Sequence, residues 1–433
     1  MKSRQVDFLL DLFDAAVGSA NPSKCLPPHL PGRNPAGRTV IFGAGKAAAS
    51  MARVVEKHWE GALSGLAITP YRHRLPCKWV EVLEAGHPFP DRAGENAANR
   101  ILEMARELRS GDLALCLFSG GGSALLPVPP PGLKLEDKRK VSEALILSGA
   151  GIAEINCVRK HLSSIKGGRL AIACAPAAVM NLLISDVPGD DPAVIASGPT
   201  VADPTTLDQA IGVLEKYDLT EPFRAYEYLR TSGEETPKSD DRRLGPIRTV
   251  IVASGRTALD AAAARANQSD IRPRILGNDI VGESREVART HAGIARRAAR
   301  NDTSGDTPVV ILSGGETTVT VRGNGRGGPN TEYLLALAIS LNGHPGIYAI
   351  ACDTDGIDGS GKNAGALMTP DTLARAAEIG LDPRASLENN DGYEFFAALD
   401  DLIVTGPTRT NVNDFRAILV TGETQPAGKP RGA

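Results

Sequence analysis

The sequence predicts an α/β protein made of two Rossmann-like domains, each with a mostly parallel sheet, and an inter-domain cleft. The first observation is that apolar, strand-like runs alternate with helical patterns along most of the chain, which is typical of a parallel sheet covered on both faces. The second is length, because 433 residues exceed what one hydrophobic core usually holds. A hydrophobic content of 42% can supply two cores.

The third observation is a recurring turn, in which a strand-like run ends on glycines and opens into a helical pattern. The four examples are Thr39–Lys46, Leu113–Ala124, Thr249–Ala258 and Val309–Thr317. Such a turn leaves backbone N–H groups without partners at the positive end of a helix dipole. The four turns therefore predict sites for phosphate or carboxylate groups.

The order of the strands suggests where the domains divide. The clearest predicted strands are Thr39–Phe42, Gly65–Ile68, Leu113–Phe118 and Asn181–Ser185, followed by Val250–Ala253, Val309–Leu312, Gly346–Ala351 and Asp401–Thr405. Between the two sets, residues 231–246 are polar, charged and punctuated by proline and glycine, as linkers often are. The sequence thus predicts domains at 1–240 and 247–433.

Composition excludes several classes of partner. The net charge of −3 comes from interspersed signs, and the aromatic content is 4%, so nucleic acid and anionic membranes are not expected partners. No run of eighteen apolar residues predicts a membrane span. The six scattered cysteines lack a C-x-x-C pair and predict reduced thiols. We expect a cytoplasmic protein, with a homodimer as the default oligomer.

The first glycine turn contains Gly43, Gly45 and Lys46. It matches the G-x-G-x-x-G/A dinucleotide fingerprint, but Thr69–Arg72 after the next strand supplies no acid for a ribose hydroxyl. No Walker A motif is present. Lys46 is predicted in the first helical turn, where a cation opposes the dipole by roughly 0.3–1 kcal/mol. This placement favours a bound anion, and a solvated surface lysine is the alternative.

The second glycine turn is Ser119, Gly120, Gly121, Gly122 and Ser123. Three consecutive glycines cost roughly 1 kcal/mol each relative to alanine when they only extend an element. Close approach of the backbone to a ligand would explain them, and a tightly packed turn is the alternative.

Carboxylates follow two of the predicted strands. Asp186 ends one strand, and Asp353 and Asp355 follow another in the sequence DTDGIDG. The carboxyl ends of strands are where open α/β sheets place ligands and Mg²⁺. Local turn chemistry is the alternative explanation for DTDGIDG.

Two basic segments complete the candidates. Arg326 lies in RGNGRGGPNTE, and Lys166 and Arg169 flank a pair of glycines. Arginine suits carboxylate and phosphate groups because its guanidinium forms two parallel hydrogen bonds. His87 and His161 are interpreted as structural hydrogen-bonding residues.

Together these motifs resemble the glycerate 2-kinase family. The motifs are GAGKAA, GHPFPD, SGGGSALL, VRKHLSSIKGGRLA, ISDVPGDDPAVIASGPT, LSGGET, DTDGIDG and TGPTRTNVND, in this order from about Asp7 to Phe415. The resemblance implies an N-terminal domain of unknown-function type, a C-terminal leucine-rich, MOFRL-like domain, and ATP-dependent phosphorylation of D-glycerate to 2-phosphoglycerate with Mg²⁺. Members have often been labelled hydroxypyruvate reductase.

The resemblance and the motifs together give a candidate site. Its catalytic residues are Lys46, Arg326 and Asp353, and its metal ligands are Asp186, Asp353 and Asp355. Nucleotide contacts are expected from Gly43, Gly45, Ser119, Gly120, Gly121, Gly122, Ser123, Lys166, Gly314, Gly315, Glu316 and Asn330.

One position departs from the family. The family pattern reads G-G-R-N-Q-E, whereas this chain has Pro329 where the arginine would stand. Arg326, three residues earlier, is the expected substitute. An NAD(P)H-dependent hydroxypyruvate reductase and a non-catalytic sugar-phosphate-binding protein remain the alternatives.

Overall fold

The computed structural model describes residues 3–32, 37–220, 222–232, 234–301 and 308–421. These residues form two compact units. We name the first the parallel-sheet unit, which contains 21–254 and 409–411, and the second the antiparallel-sheet unit, which contains the described parts of 3–20, 255–408 and 412–421.

Both units contain strands and helices. The strands are β1 Thr39–Ala44, β2 Leu63–Pro70, β3 Val80–Ala85, β4 Leu113–Phe118, β5 Ala178–Ile184, β6 Ile247–Ala253, β7 Arg272–Ile275, β8 Ile280–Glu283, β9 Val309–Thr318, β10 Ile347–Asp353, β11 Gly365–Met368, β12 Leu402–Ile403 and β13 Asp414–Val420. The helices are α1 Arg4–Ser19, α2 Pro22–Cys25, α3 Ala48–His58, α4 Arg92–Arg106, α5 Gly122–Leu125, α6 Leu135–Leu147, α7 Ile152–His161, α8 Arg169–Cys174, α9 Leu207–Lys216, α10 Arg224–Ser232, α11 Gly255–Asn267, α12 Ser284–Asn301, α13 Pro329–Leu341, α14 Thr372–Glu378, α15 Pro383–Glu388 and α16 Gly392–Ala398.

The parallel-sheet unit has the strand order β3-β2-β1-β4-β5-β6, and every described pair is parallel. Its central strands are apolar on both faces because helices cover both sides of such a sheet. Phe42, Cys116 and Leu183 are buried there beside Ile101 and Leu102 of α4. A separate core joins helices α6, α7, α9 and α10. The predicted parallel sheet is confirmed for this unit.

The antiparallel-sheet unit has the order β12-β11-β10-β13-β9-β7, with β8 also paired to β9. Four of its described pairings are antiparallel, and only those of β7 and β8 with β9 are parallel. The prediction of a mostly parallel second sheet is therefore wrong. Strands β9 and β10 share one direction, as a strand–helix–strand pattern predicts, but β13 lies between them and runs against both.

Strand β9 also corrects one predicted glycine turn. The strand continues through Gly314 and Gly315 to Thr318, so no helix begins there. Gly315 has φ of 121°, and a Cβ at this position would lie 2.1 Å from the carbonyl oxygen of Ile280 on the neighbouring strand. These glycines permit close strand pairing, which explains the motif without a ligand.

The predicted domain boundaries also change. Strand β6 was assigned to the second domain, but it pairs with β5 at the edge of the parallel sheet. Helix α1 was assigned to the first domain, but it belongs to the antiparallel-sheet unit, where Asp11 forms an ion pair with Arg265 of α11. The chain passes from one unit to the other after Ser254, later than the predicted linker. The end of the predicted second domain, 422–433, lies outside the described residues.

Among the helices that the structure describes, none combines the length and the apolar character needed to cross a membrane. All six cysteines are free thiols, and four of them are buried: Cys116, Cys157, Cys174 and Cys352.

Candidate active site

The first two glycine turns form one structure at the carboxyl ends of β1 and β4. The backbone N–H of Lys46 donates to Gly120 O at 2.8 Å, and Ser119 N–H donates to Ala44 O at 3.1 Å. Ser119 Oγ accepts from Ala47 N–H at 3.0 Å. Lys46 lies two residues before α3, not within its first turn as predicted, but it remains next to the positive end of the helix.

Gly120 is the point where this joined structure meets a carboxylate. A Cβ at Gly120 would lie 1.9 Å from Asp186 Oδ2 and 2.8 Å from Asn411 Nδ2. Asn411 donates to Asp186 Oδ2 at 3.0 Å. The glycine at this position therefore permits close approach of the backbone to Asp186, a side chain of the protein itself, and the contact with a ligand stays a prediction. Asn411 was not singled out in the sequence, although it lies in the TGPTRTNVND motif.

The remaining glycines of the site have separate roles. Gly43 lies within β1, paired with Ala67 and Leu117. Gly121 has φ of 81° and begins the turn into α5. A Cβ on Gly121 would lie 2.7 Å from His87 Nε2, so the GHPFPD segment lies against the loop.

Three other predicted contacts of this unit occupy the same region. Gly45 follows β1, and its N–H donates to Ile68 O at 3.1 Å. Gly122 is the first residue of α5, and the neighbouring Ser123 Oγ lies 2.8 Å from Ser197 Oγ.

Lys166 lies next to α5 and the glycine loop. Its side chain is buried, and Nζ donates to Ser123 O at 2.8 Å and to Leu126 O. Burial, with Lys138 and Arg159 nearby, holds its pKa well below the usual range for lysine. The structure brings Lys166 and Ser123 together, and their contact with a nucleotide stays a prediction.

Asp353 and Asp355 lie in a loop at the end of β10. Asp353 Oδ1 accepts from the N–H of Asp355 at 2.9 Å, and Asp355 Oδ1 accepts from Ile357 N–H at 2.8 Å. The described residues contain no group of three or more His, Cys, Asp or Glu arranged for a metal ion. Mg²⁺ is commonly bound by one or two carboxylates together with substrate phosphates, so the two aspartates fit this ion. Asp186 belongs to the parallel-sheet unit.

Asp358 is the most deeply buried acid of the DTDGIDG motif. Its carboxylate accepts from the N–H groups of Asn330 and Thr331, both at 2.9 Å, and from Thr331 Oγ1 at 2.8 Å. These donors belong to the first turn of α13, where a carboxylate is favourable. Burial, together with Asp414, nevertheless raises the pKa of Asp358 to about 6. Pro329 is the first residue of α13, where proline needs no hydrogen-bond donor.

A network of buried charges continues from Asp358 to β13. Asn330 Nδ2 donates to Asp414 Oδ1 at 2.7 Å, and Asp414 forms an ion pair with Arg416, whose side chain is 1% exposed. Arg416 Nη2 also donates to Thr317 Oγ1 at 3.0 Å. Sequence reasoning missed Asp414 and Arg416 because it did not identify β13 as a strand.

Arg326 is engaged at the surface of the antiparallel-sheet unit. Its guanidinium carbon lies 3.9 Å from the ring centroid of Tyr393, and Nη1 lies 3.7 Å from Glu394 Oε1. The side chain is 40% exposed.

The predicted nucleotide contacts at Gly314, Gly315 and Glu316 lack the helix terminus on which they depended, because all three residues are part of β9. That prediction is wrong in its structural basis.

Enzymes that transfer phosphoryl groups commonly use a glycine-rich loop, a lysine and carboxylates. The loop formed by Lys46 and Ser119–Ser123, with Asp186 beside it, contains these groups. Residues 8–230 match the family model described as a domain of unknown function, DUF4147, and residues 309–414 match the MOFRL family. The chain belongs to the glycerate 2-kinase family, in agreement with the resemblance in the sequence.

The similar proteins carry two kinds of name. A protein of Agrobacterium vitis named as a hydroxypyruvate reductase is 51% identical over 423 residues, which cover 97% of this chain and 95% of the relative. A protein of Thermotoga maritima named D-glycerate 2-kinase is 37% identical over 407 residues, covering 94% and 96%. The crystal structure of glycerate kinase from Thermotoga maritima matches with a TM-score of 0.86 and 35% identity, covering 96% of this chain and 99% of that one.

Proposed function

We propose that this protein transfers the γ-phosphoryl group of ATP to the 2-hydroxyl of D-glycerate, giving 2-phosphoglycerate and ADP. The observation that carries this proposal is the joined loop of Lys46 and Ser119–Ser123, in a chain that aligns over 94% of its length with a protein named D-glycerate 2-kinase. The loop presents backbone donors and a lysine where an anion would be held.

The proposed mechanism depends on positioning and on charge neutralisation, because phosphoryl transfer asks for little covalent chemistry from the protein. A bond forms between the 2-oxygen of glycerate and the γ-phosphorus, and the bond to the β,γ-bridging oxygen of ATP breaks. The hydroxyl proton passes to a nearby carboxylate. Lys46 neutralises charge on the transferred group, and Arg326 and Asp353 are the other proposed catalytic residues.

Mg²⁺ would be held by carboxylates among Asp186, Asp353 and Asp355, and it would neutralise charge on the nucleotide phosphates. Asp353 and Asp355 each use one oxygen to accept a backbone N–H of their own loop. The fit rests on the oxygen donors of this loop, which match the preference of the ion.

The name of the Agrobacterium vitis relative makes hydroxypyruvate reduction the second candidate. The structure gives one observation against a dinucleotide at the first glycine turn. Strand β2 ends at Pro70 and is followed by Tyr71 and Arg72, so neither residue directly after the strand is the acid that usually binds a ribose hydroxyl.

One comparison of activities separates the candidates. The protein is assayed with D-glycerate, ATP and Mg²⁺, and in parallel with hydroxypyruvate and either NADH or NADPH. We expect turnover only in the first assay, with a product that enolase consumes without a mutase. Phosphorus NMR that shows only 3-phosphoglycerate would contradict the proposed regiochemistry, and consumption of reduced nicotinamide would favour the reductase. A protein inactive in both assays would point to a binding function.

A further inference from the structure

A small cationic cavity lies beside the glycine loop of the parallel-sheet unit. Its volume is about 80 Å³, and four basic side chains line it: Lys138, Arg139, Arg159 and Lys166. The hydroxyl groups of Ser123 and Ser142 add polar atoms to the wall. We name this cavity, defined by these six residues, the cationic pocket.

Three of these basic side chains have no acidic partner among the residues that the structure describes. Within the described part of the chain, no carboxylate forms an ion pair or hydrogen bond with Lys138, Arg159 or Lys166. Lys138 is 8% exposed, and its Nζ donates only to the carbonyl oxygens of Pro127 at 3.2 Å and Val128 at 3.3 Å. Lys166 is 2% exposed and donates only to carbonyl oxygens as well.

The electrostatic consequence is visible in the titration of these groups. Burial, reinforced by Arg159, lowers the pKa of Lys138 to about 7, against a weaker opposing effect of Glu95 on α4. Burial also lowers the pKa of Arg159. Burying charges without partners is unfavourable, and a bound anion would compensate for it.

Another buried lysine of this unit, Lys160, has an acidic partner within the chain. Lys160 of α7 is as deeply buried as Lys166, but its Nζ contacts Asp203 Oδ1 at 2.6 Å. Among the described residues, this unit therefore pairs one buried lysine with an acid and leaves Lys138 and Lys166 of the cationic pocket without one.

We propose that the cationic pocket binds the carboxylate of the acceptor substrate, a three-carbon hydroxy acid, through Lys138, Arg159 and Lys166. This inference rests on the proposed function and deepens it. Pockets for drug-sized ligands enclose about 300–1,000 Å³, so a cavity of about 80 Å³ suits a small acid and not a nucleotide. Ser123 belongs both to the glycine loop and to the pocket wall, so the hydroxyl groups of a bound acid would lie next to the loop.

The proposal is tested by calorimetric titration of the full-length protein with D-glycerate in the absence of ATP. We expect Lys138→Met to weaken D-glycerate binding by about 10- to 100-fold, the usual effect of losing a hydrogen bond to a charged group. Lys140→Met is the matched control, because Lys140 is exposed on the same helix and does not line the pocket. The KM for ATP should be unchanged in both variants.

Two further measurements distinguish a binding role from a structural one. Arg159→Met changes a second wall of the pocket from a different helix, and it should weaken D-glycerate binding by a similar factor. In addition, binding of D-glycerate near pH 7 should draw protons from solution, because a nearby carboxylate favours the charged form of Lys138. Titration in buffers of different ionisation enthalpy measures this uptake, which Lys138→Met should reduce; Lys166, whose pKa is also lowered by burial, can still take up a proton in that variant.

The outcomes separate this inference from the proposed function. If the parent protein phosphorylates D-glycerate and both pocket variants bind it with parent affinity, the pocket assignment is overturned and the kinase stands. An increase in KM for ATP alone would likewise overturn the assignment, in favour of nucleotide phosphate. If the parent shows no kinase activity but binds D-glycerate in a Lys138-dependent way, the acid-binding site stands and the kinase proposal fails.

Discussion

The cationic pocket and the charge network around β13 both bury ionisable side chains, but among the described residues only the network pairs them with groups of opposite charge. Arg416 has Asp414, and Asp358 accepts three hydrogen bonds from the start of α13. Lys138 and Arg159 have no such partner among the residues described. A buried pair that is satisfied within the chain fixes local structure, whereas a buried charge without a partner leaves an interaction for a ligand.

Substitution of Arg416 is the strongest test of this difference between the two regions. Arg416→Met leaves Asp414 buried without its cation, so we expect the free energy of unfolding to fall by about 3–5 kcal/mol. Lys138→Met leaves no buried acid behind and should change it far less. Urea denaturation of both variants measures the difference.

The double variant Arg416→Met, Asp414→Asn is the control for this prediction. It removes the uncompensated carboxylate and should recover part of the lost stability. Equal losses in Arg416→Met and Lys138→Met would show that pairing does not distinguish the two regions.

The second test concerns Lys46, a cation proposed to act on a ligand. Lys46→Ala should lower kcat and kcat/KM together by roughly 10²–10³, the effect of losing one preorganised electrostatic group. Stability without ligand should be equal to that of the parent or slightly higher, because a cation near a helix N-terminus is unfavourable. Arginine at this position should restore little activity, since its planar group cannot replace a compact ammonium.

Lys57→Ala is the matched control, because Lys57 is exposed in the last turn of α3, the helix that Lys46 precedes. It should retain parent activity. Full turnover by Lys46→Ala, or loss of activity only through unfolding, would make Lys46 a surface residue and leave Lys166, Arg169 and Arg326 as the candidate cations.

The two regions also differ in how well the sequence predicted them. In the parallel-sheet unit, β1 and β4 each lead through a turn into helical structure, so local patterns identified both strands and their glycine loops. Asp186 was predicted because its position at a strand end is a local property. The contact of Asn411 with Asp186 joins residues separated by 225 positions, and no local pattern contains that information.

In the antiparallel-sheet unit, the important pairings are not local. Strand β13 lies between β9 and β10, although about sixty residues separate it in sequence from β10. Because β13 runs antiparallel to both of its neighbours, the sheet is mostly antiparallel. The same strand places Arg416 next to Asp414 and Thr317. Gly314 and Gly315 were misinterpreted because a glycine pair that permits close strand pairing has the same local sequence as a ligand-binding turn.

The third test concerns Asp353, a partly exposed acid at the end of β10. Asp353→Asn keeps the shape of the side chain but removes the charge that a hard cation needs, so we expect activity to fall by about 10²-fold in a folded protein. The measurement is kcat as a function of Mg²⁺ concentration. Asp260→Asn is the control, because Asp260 is exposed and forms only a surface ion pair with Arg256. Unchanged Mg²⁺ dependence in Asp353→Asn would leave Asp186 as the next candidate ligand.

The smallest expected effect is a pH dependence of stability that originates within the paired network. The pKa of Asp358 is about 6 in the folded protein, above its usual value of 3.8. Between these two pH values the folded state holds a proton that the unfolded state has lost. The contribution of Asp358 is therefore fully present below about pH 4 and decreases as pH rises to 6, on the order of 1 kcal/mol per pH unit.

Asp358→Asn removes this titration, so the stability difference between parent and variant should decrease between pH 4 and 6 and stay constant above. Urea denaturation at one-unit intervals of pH measures it.

Asp112 gives a contrasting control, because hydrogen bonds from Arg109 and Arg38 hold its pKa below the usual value despite burial. Its contribution is present above pH 4 and lost as pH falls, so Asp112→Asn should alter the pH profile in the opposite direction. A flat difference for Asp358→Asn would contradict the raised pKa and would mean that its hydrogen bonds to α13 cancel the effect of burial.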